Sequence, residues 1–144
     1  MNPCENRERS MDCGPNPFIT DIEKTTEDNP FFRRVLWTGK HLQVTVMCIP
    51  PGGEIGNEIH PHTDQFIRIE EGCGSVMIGK CMNAPSRQTH VESGCAFMIP
   101  AGTWHNITNS GKCSLKLYSI YAPPKHPKGA VHPTKADAEK AEND

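Results

Sequence analysis

Residues 57–72 read NEIHPHTDQFIRIEEG, and two overlapping pairs in that stretch compete for one role. Glu58 with His60 and His60 with His62 are each separated by one residue. In an extended chain, members of either pair point the same way. Whichever pair is used decides which atoms could hold a metal, and the rest of the chain decides which pair is used.

Outward from that stretch, the pattern between Phe31 and Tyr121 is one of short runs separated by turn residues. RRVLWT ends at Gly39, and HLQVTVMCI alternates Leu42, Val44, Val46 and Cys48 against Gln43 and Thr45 before Pro50-Pro51-Gly52-Gly53. QFIRIEEG and GSVMIGK flank Gly72 and Gly74, a hairpin signal, and RQTHVE, CAFMIP, TWHNIT and CSLKLYSIY follow. Strands this short and this regularly punctuated predict an all-β sandwich or barrel.

The flanks differ from this centre. Residues 1–17 are polar and aperiodic and read as a disordered or loosely docked tail, with Met11 a second candidate start. A single domain over residues 18–122 is expected, then a Pro/Gly-rich segment and a short polar helix over 123–144. In APPKHPKGAVHP five prolines or glycines argue against regular structure, whereas TKADAEKAEND has a capping box at Thr134 and Asp137. That helix is so polar that it is expected on the outside, frayed, and of little functional weight.

Composition narrows the function classes. The 144 residues carry a formal charge of −2, which favours neither nucleic acid nor an anionic membrane as partner. No apolar run reaches the roughly 20 residues of a membrane span, and the N-terminus lacks a signal-peptide core, so a cytoplasmic protein is expected. The seven cysteines are odd in number and include no C-x-x-C, which indicates neither a disulfide framework nor a zinc knuckle. Cys48 and Cys95 read as small buried hydrophobes.

Spacing separates the two pairs. Gly52, five residues, Glu58, one, His60, four, Gln65, six, Gly72 forms one set; Gly94, five, Pro100, one, Gly102, two, His105, three, Asn109 forms another. The sequence resembles the cupin superfamily, whose two motifs have this spacing, G-x5-H-x-H-x4-E-x6-G and G-x5-P-x-G-x2-H-x3-N. Starting the pair at His60 breaks the first motif on both sides, so the pair is Glu58 and His60. The resemblance covers roughly Phe31 to Tyr121 and implies a double-stranded β-helix, a jelly-roll-like barrel, here with a short C-terminal helix. The chain departs from the family at two ligand positions, with Glu58 where histidine is usual and Gln65 where glutamate is usual. The single carboxylate has changed position rather than vanished.

Glu58, His60 and His105 form a two-histidine, one-carboxylate set suited to a divalent transition metal such as Zn, Mn, Fe, Ni or Co, with positions left open. Gln65 could add its amide oxygen. A metal-free cupin would use the same groups to line a sugar or acid pocket. His62 and Asp64, in the turn between ligand segments, are the candidate catalytic groups, against the plainer reading as exposed turn residues. Arg68 should face outward and pair with a carboxylate, Trp104 is pocket wall or core, and Lys116 is a candidate for a substrate phosphate.

The strings HPHTDQFIRIEEG, PAGTWHN and LKLYSIYAPPKHPKGAVH also look like small bacterial single-domain cupins related to the cupin domain of phosphomannose isomerases. That resemblance implies a sugar or sugar-phosphate isomerase, mannose-6-phosphate-isomerase-like, working by metal-assisted proton transfer through an enediol. An Fe(II)-dependent oxygenase and a non-catalytic small-ligand binder are the alternatives. The expected partners are a small-molecule substrate, a sugar or small acid, and a second copy in a homodimer that covers an exposed sheet edge.

Overall fold

The computed structural model describes residues 12–81 and 87–143 of the chain; the expected tail as far as residue 11, with Cys4 and Met11, lies outside them. Its elements run α1 (Ile22–Asp28), β1 (Arg33–Thr38), β2 (Gln43–Ile49), β3 (Asp64–Glu71), β4 (Cys73–Gly79), β5 (Arg87–Glu92), β6 (Ala96–Ile99), β7 (Trp104–Thr108), β8 (Leu115–Ala122), β9 (Val131–His132) and α2 (Lys135–Asn143). Eight of the nine strands fall on the runs read from sequence. They form a six-stranded sheet, β6-β3-β8-β2-β1-β9, and a three-stranded one, β5-β4-β7. The sheets share one apolar cluster, in which Met47, Ile67 and Leu117 meet Val76, Val91 and Ile107. This is the expected double-stranded β-helix.

Several expectations are corrected. β3 and β4 do not form a hairpin: β3 pairs with β6 and β8, while β4 pairs with β5 and β7. Gly72 is the corner at which the chain leaves one sheet for the other. Its φ is +90°, and a Cβ there would lie 2.8 Å from the Ser114 carbonyl oxygen, so both conformation and space demand glycine. β2 is also turned over. Gln43, Thr45, Met47 and Ile49 are buried, whereas on the opposite face Val44 and Cys48 are only half-buried and Val46 alone is fully buried. A polar interior at one end of the barrel defeats the rule that apolar residues mark the inner face.

The flanks are better ordered than their composition suggests. Residues 12–17 lie against β1: the Asp12 carboxylate accepts from Thr38 N (3.0 Å), Thr38 Oγ1 (2.6 Å) and Gly129 N (3.0 Å), and Trp37 Nε1 donates to Asn16 O (2.7 Å). Cys13 is disulfide-bonded, contrary to the expectation from cysteine spacing, while Cys48, Cys73, Cys81, Cys95 and Cys113 are free. Helix α1 was not anticipated, although Asp21 caps it by accepting from Lys24 N at 3.1 Å. Pro/Gly content did not prevent β9, whose Val131 and His132 pair with Arg34 and Arg33.

The capping box of α2 forms as expected: Asp137 N donates to Thr134 Oγ1 (3.2 Å), and Asp137 Oδ2 accepts from Thr134 N (3.1 Å). The helix does not fray away from the body, because Ala138 is buried in the apolar cluster.

Candidate metal centre and cavity

Residues 52–58 run antiparallel to β7 without forming a continuous strand. Gly52 N donates to Asn109 O, Asn109 N to Gly53 O, and Ile55 N to Ile107 O. At the end of this run Glu58 and His105 exchange both backbone hydrogen bonds, each 2.9 Å long. Directly opposed residues of an antiparallel pair place their side chains on one face. His105 therefore reaches Glu58 from the adjacent strand. Gly102, at φ +80°, makes the tight turn before β7 and donates its N–H to His60 O at 2.9 Å. That bond ties His60 to the same loop. Asn109, the last motif residue, bonds Ile49 O and Cys113 O and accepts from Gly111 N, so its work is to close a turn.

Three side chains converge. Glu58 Oε2 lies 3.3 Å from His60 Nε2 and 3.8 Å from His105 Nε2, and the two imidazole centroids are 5.3 Å apart. One donor atom from each lies within 4.8 Å of the others. A divalent ion at 2.0–2.2 Å from each ligand needs separations of roughly 3–4 Å. The donor atoms suit it. His105 Nδ1 faces the Thr103 carbonyl at 3.1 Å; the carbonyl can only accept, so the proton is on Nδ1 and the Nε2 lone pair is free. His60 Nε2 and His105 Nε2 are buried without a hydrogen-bond partner. Buried unpartnered nitrogens are costly unless something satisfies them, and a cation would.

Arg33, 2% exposed, holds the other carboxylate oxygen: its Nη2 lies 3.5 Å from Glu58 Oε1. One oxygen is thus engaged by guanidinium and the second is presented to the imidazoles. Burial pushes the Glu58 carboxyl up, but the closeness of His60 and the Arg33 charge outweigh it and hold the group below the ordinary carboxylate range. Burial lowers His105, only partly offset by Thr103 and Glu58. Both shifts favour the metal-binding protonation states.

The family is decided by a match over more than half of the chain: residues 45–121 fit the cupin domain. The chain is a cupin. It is 54% identical over 132 residues to the uncharacterized protein YrkC of Bacillus subtilis (strain 168), covering 92% of this chain and 71% of that one. It is 42% identical over 115 residues to the uncharacterized protein L612 of Acanthamoeba polyphaga mimivirus, covering 79% and 70%. The crystal structure of BH2720 from Bacillus halodurans is similar with a TM-score of 0.89 at 56% identity, covering 90% of this chain and 98% of that one. These relatives support the cupin assignment without favouring a phosphomannose-isomerase type in particular.

A cavity of about 520 Å³ opens beside the cluster of this cupin, lined by Glu58, His60, Trp104, Lys125, His126 and Glu142 among others. Trp104 is therefore pocket wall. His62 and Asp64 are not in that lining: both are exposed, and Asp64 Oδ1 accepts from Ala101 N at 2.9 Å. Gln65 is inside the barrel, in register with Tyr121; its Nε2 donates to Ser119 Oγ at 3.2 Å and its buried Oε1 has no partner. Lys116 is on another part of the surface, where its Nζ donates to Asn29 O, and is withdrawn as a phosphate ligand. Arg68 faces out and pairs with Glu70 at 2.6 Å, as expected.

Sequence reasoning missed Arg33, Tyr121, His126 and Glu142. The Tyr121 ring is edge-on to both His60 (5.7 Å) and His126 (5.1 Å), and burial pushes its hydroxyl up to about 12. Burial first, then Arg33, holds His126 down to about 3. The available signal was two histidines, His126 and His132, in an otherwise Pro/Gly-rich segment.

Proposed function

We propose that this cupin is a divalent-metal-dependent enzyme acting on a small polyoxygenated molecule, with a sugar or sugar-phosphate isomerase as the leading reading. The observation that carries it is the meeting of Glu58, His60 and His105, with buried unpartnered imidazole nitrogens, at the wall of a cavity. Glu58, His60 and His105 would hold the ion, with Gln65 Oε1 a further oxygen on the inner face. Bound there, zinc, manganese, iron, nickel or cobalt supplies Lewis-acid polarisation of a substrate carbonyl.

The chain's own groups do the rest. Arg33 keeps Glu58 ionised and fixes which of its oxygens faces the imidazoles. Tyr121, protonated at neutral pH, and Trp104 exclude water from the flanks of the cavity. Lys125 at the rim carries the charge that a phosphate or carboxylate would meet. Because His62 and Asp64 stand outside the lining, the group that moves a proton in an isomerase has to come from the lining itself.

The same two-histidine, one-carboxylate set supports an Fe(II)-dependent oxygenase as the second reading. Metal analysis of protein purified without added metal, followed by assays on sugars and small acids, separates the readings. Aldose–ketose exchange with zinc, manganese or nickel supports the isomerase. Iron with oxygen consumption supports the oxygenase. An empty site with no turnover leaves a small-ligand binder.

A homodimer is also proposed. On the outer face of the six-stranded sheet Met98 (65% exposed), Phe66, Ile120 and Val44 lie side by side across four strands. Met98 is exposed and the other three are half-buried, and a contiguous apolar row at a surface favours association. Sedimentation at micromolar concentration tests it, a monomer being the contrary result. Among the described residues five free thiols support a cytoplasmic location, against which the Cys13 disulfide stands.

A further inference from the structure

We propose that His126 is a ligand-contacting residue of the cavity, its Nε2 hydrogen-bonding a hydroxyl of a small polyhydroxylated molecule, and that Gln43 is the positioning residue that presents it. The inference rests on the cavity being a small-molecule site, as proposed above.

Gln43 is wholly buried on the inner face of β2. A buried amide is destabilising unless its donors and acceptors are matched, and here four hydrogen bonds match them. Nε2 donates to Thr38 Oγ1 (3.0 Å) and His126 O (2.8 Å); Oε1 accepts from Lys125 N (3.1 Å) and His126 N (2.9 Å). Three of the four fall on two consecutive residues of the segment between β8 and β9.

The orientation of the amide is fixed in turn. Thr38 Oγ1 accepts from Gln43 and donates to Asp12 Oδ2, and the same carboxylate oxygen accepts from Gly129 N. The segment is thus gripped at residues 125–126 by Gln43 and at 129 by Asp12. Lys125, His126 and Pro127 of the gripped segment line the cavity, and His126 brings a ring nitrogen to it. The His126 imidazole stands edge-on to Tyr121, lines the cavity, and has a buried Nε2 with no hydrogen-bond partner. It lies outside the metal-type grouping. A hydroxyl suits it because it can donate to or accept from that nitrogen, whichever tautomer is present.

The test uses the full chain and two shape-conserving variants. Gln43→Leu removes the amide; His126→Phe keeps a ring against Tyr121 and removes the nitrogens. In the wild type the Lys125 and His126 amides should be protected from hydrogen–deuterium exchange. Gln43→Leu should speed their exchange at least tenfold while the β2–β8 ladder stays unchanged. Zn2+ titration should give affinities within twofold of wild type for both variants.

The binding probe is a mixture of D-mannose, D-fructose, D-ribose and L-malate, observed by saturation-transfer NMR. Whichever member binds should bind at least tenfold more weakly to His126→Phe and to Gln43→Leu. Unchanged affinity in His126→Phe, or no member binding the wild type, overturns the contact assigned to His126. Unchanged amide exchange in Gln43→Leu overturns the role of Gln43. Should Gln43→Leu not fold, Gln43→Met carries that arm. Failure of the wild type to take up Zn2+ strikes the metal reading instead and leaves the exchange result to decide on Gln43.

Discussion

The inner faces of β2, β3 and β8 change chemistry half-way along their length. Toward one end, Leu117 lies opposite Met47 and Ile69, and Leu115 opposite Ile49, all of them buried. Toward the other, Tyr121 lies opposite Gln43 and Gln65, and Ser119 opposite Thr45, equally buried. One strand pattern and one register therefore serve two environments. The apolar end supplies transfer free energy of roughly 25 cal/mol per Å2 buried. The polar end gives up much of that and needs a hydrogen-bond partner for nearly every group. Among the groups left without a partner are Thr45 Oγ1 and Gln65 Oε1 at this end, and ring nitrogens of His60, His105 and His126 near it.

If the two ends are separate in this way, substitutions should separate them too. The largest effect is expected at the apolar end. Leu117→Ala should lower the free energy of unfolding by about 2–5 kcal/mol, read by denaturant titration, with divalent-metal affinity unchanged. Next comes the polar end: Glu58→Ala or His105→Ala should weaken metal binding by about 100-fold, equivalent to about 2.7 kcal/mol. Unfolding should move little, and His62→Ala should alter neither quantity. Elemental analysis that found His62→Ala metal-free and Glu58→Ala fully loaded would reverse the choice of pair in residues 57–72.

The third effect is on pH. His126 is held down to about 3, by burial first and Arg33 second, whereas an unfolded chain's histidine takes up its proton near pH 6.5. Between those values the unfolded state binds more protons, so stability is full above about 6.5 and falls as pH drops. The loss should reach up to about 2 kcal/mol by pH 5 and shrink in His126→Phe. Glu58, also held low, acts in the same direction at more acid pH: its contribution is present above the ordinary carboxylate value and is lost as pH falls through the lowered one. The smallest effect is at Arg33. Arg33→Leu releases Glu58 Oε1 and should weaken metal binding about tenfold, measured by competition with a chelator.

The apolar end was the more legible of the two. Strand positions followed from turn residues, and Glu58, His60 and His105 followed from spacing around Gly52, Pro100 and Gly102, because those residues set the turns that feed the cluster. Two errors have one cause each. The alternation in β2 set Gln43 and Thr45 against the apolar positions because hydropathy treats polar residues as surface, which fails where the interior is itself polar. The Gly72 corner was read as a hairpin because a turn signal reports a reversal and not which sheet the chain enters next. Arg33, His126 and Glu142 were missed for a third reason. They come from β1, the β8–β9 segment and α2, and no local pattern links such distant positions to residues 58–60.

Helix α2 is joined to the apolar cluster through Ala138, yet Ala141 and Glu142, one turn further on, border the cavity, and Glu142 comes within 3.9 Å of Arg33. One wall of the chamber is therefore a polar helix that buries one small side chain and otherwise meets the barrel through charged groups, Lys135 with Glu54 and Glu142 with Arg33. Selectivity could be re-engineered there by exchanging the helix, with neither the barrel nor the three convergent side chains disturbed.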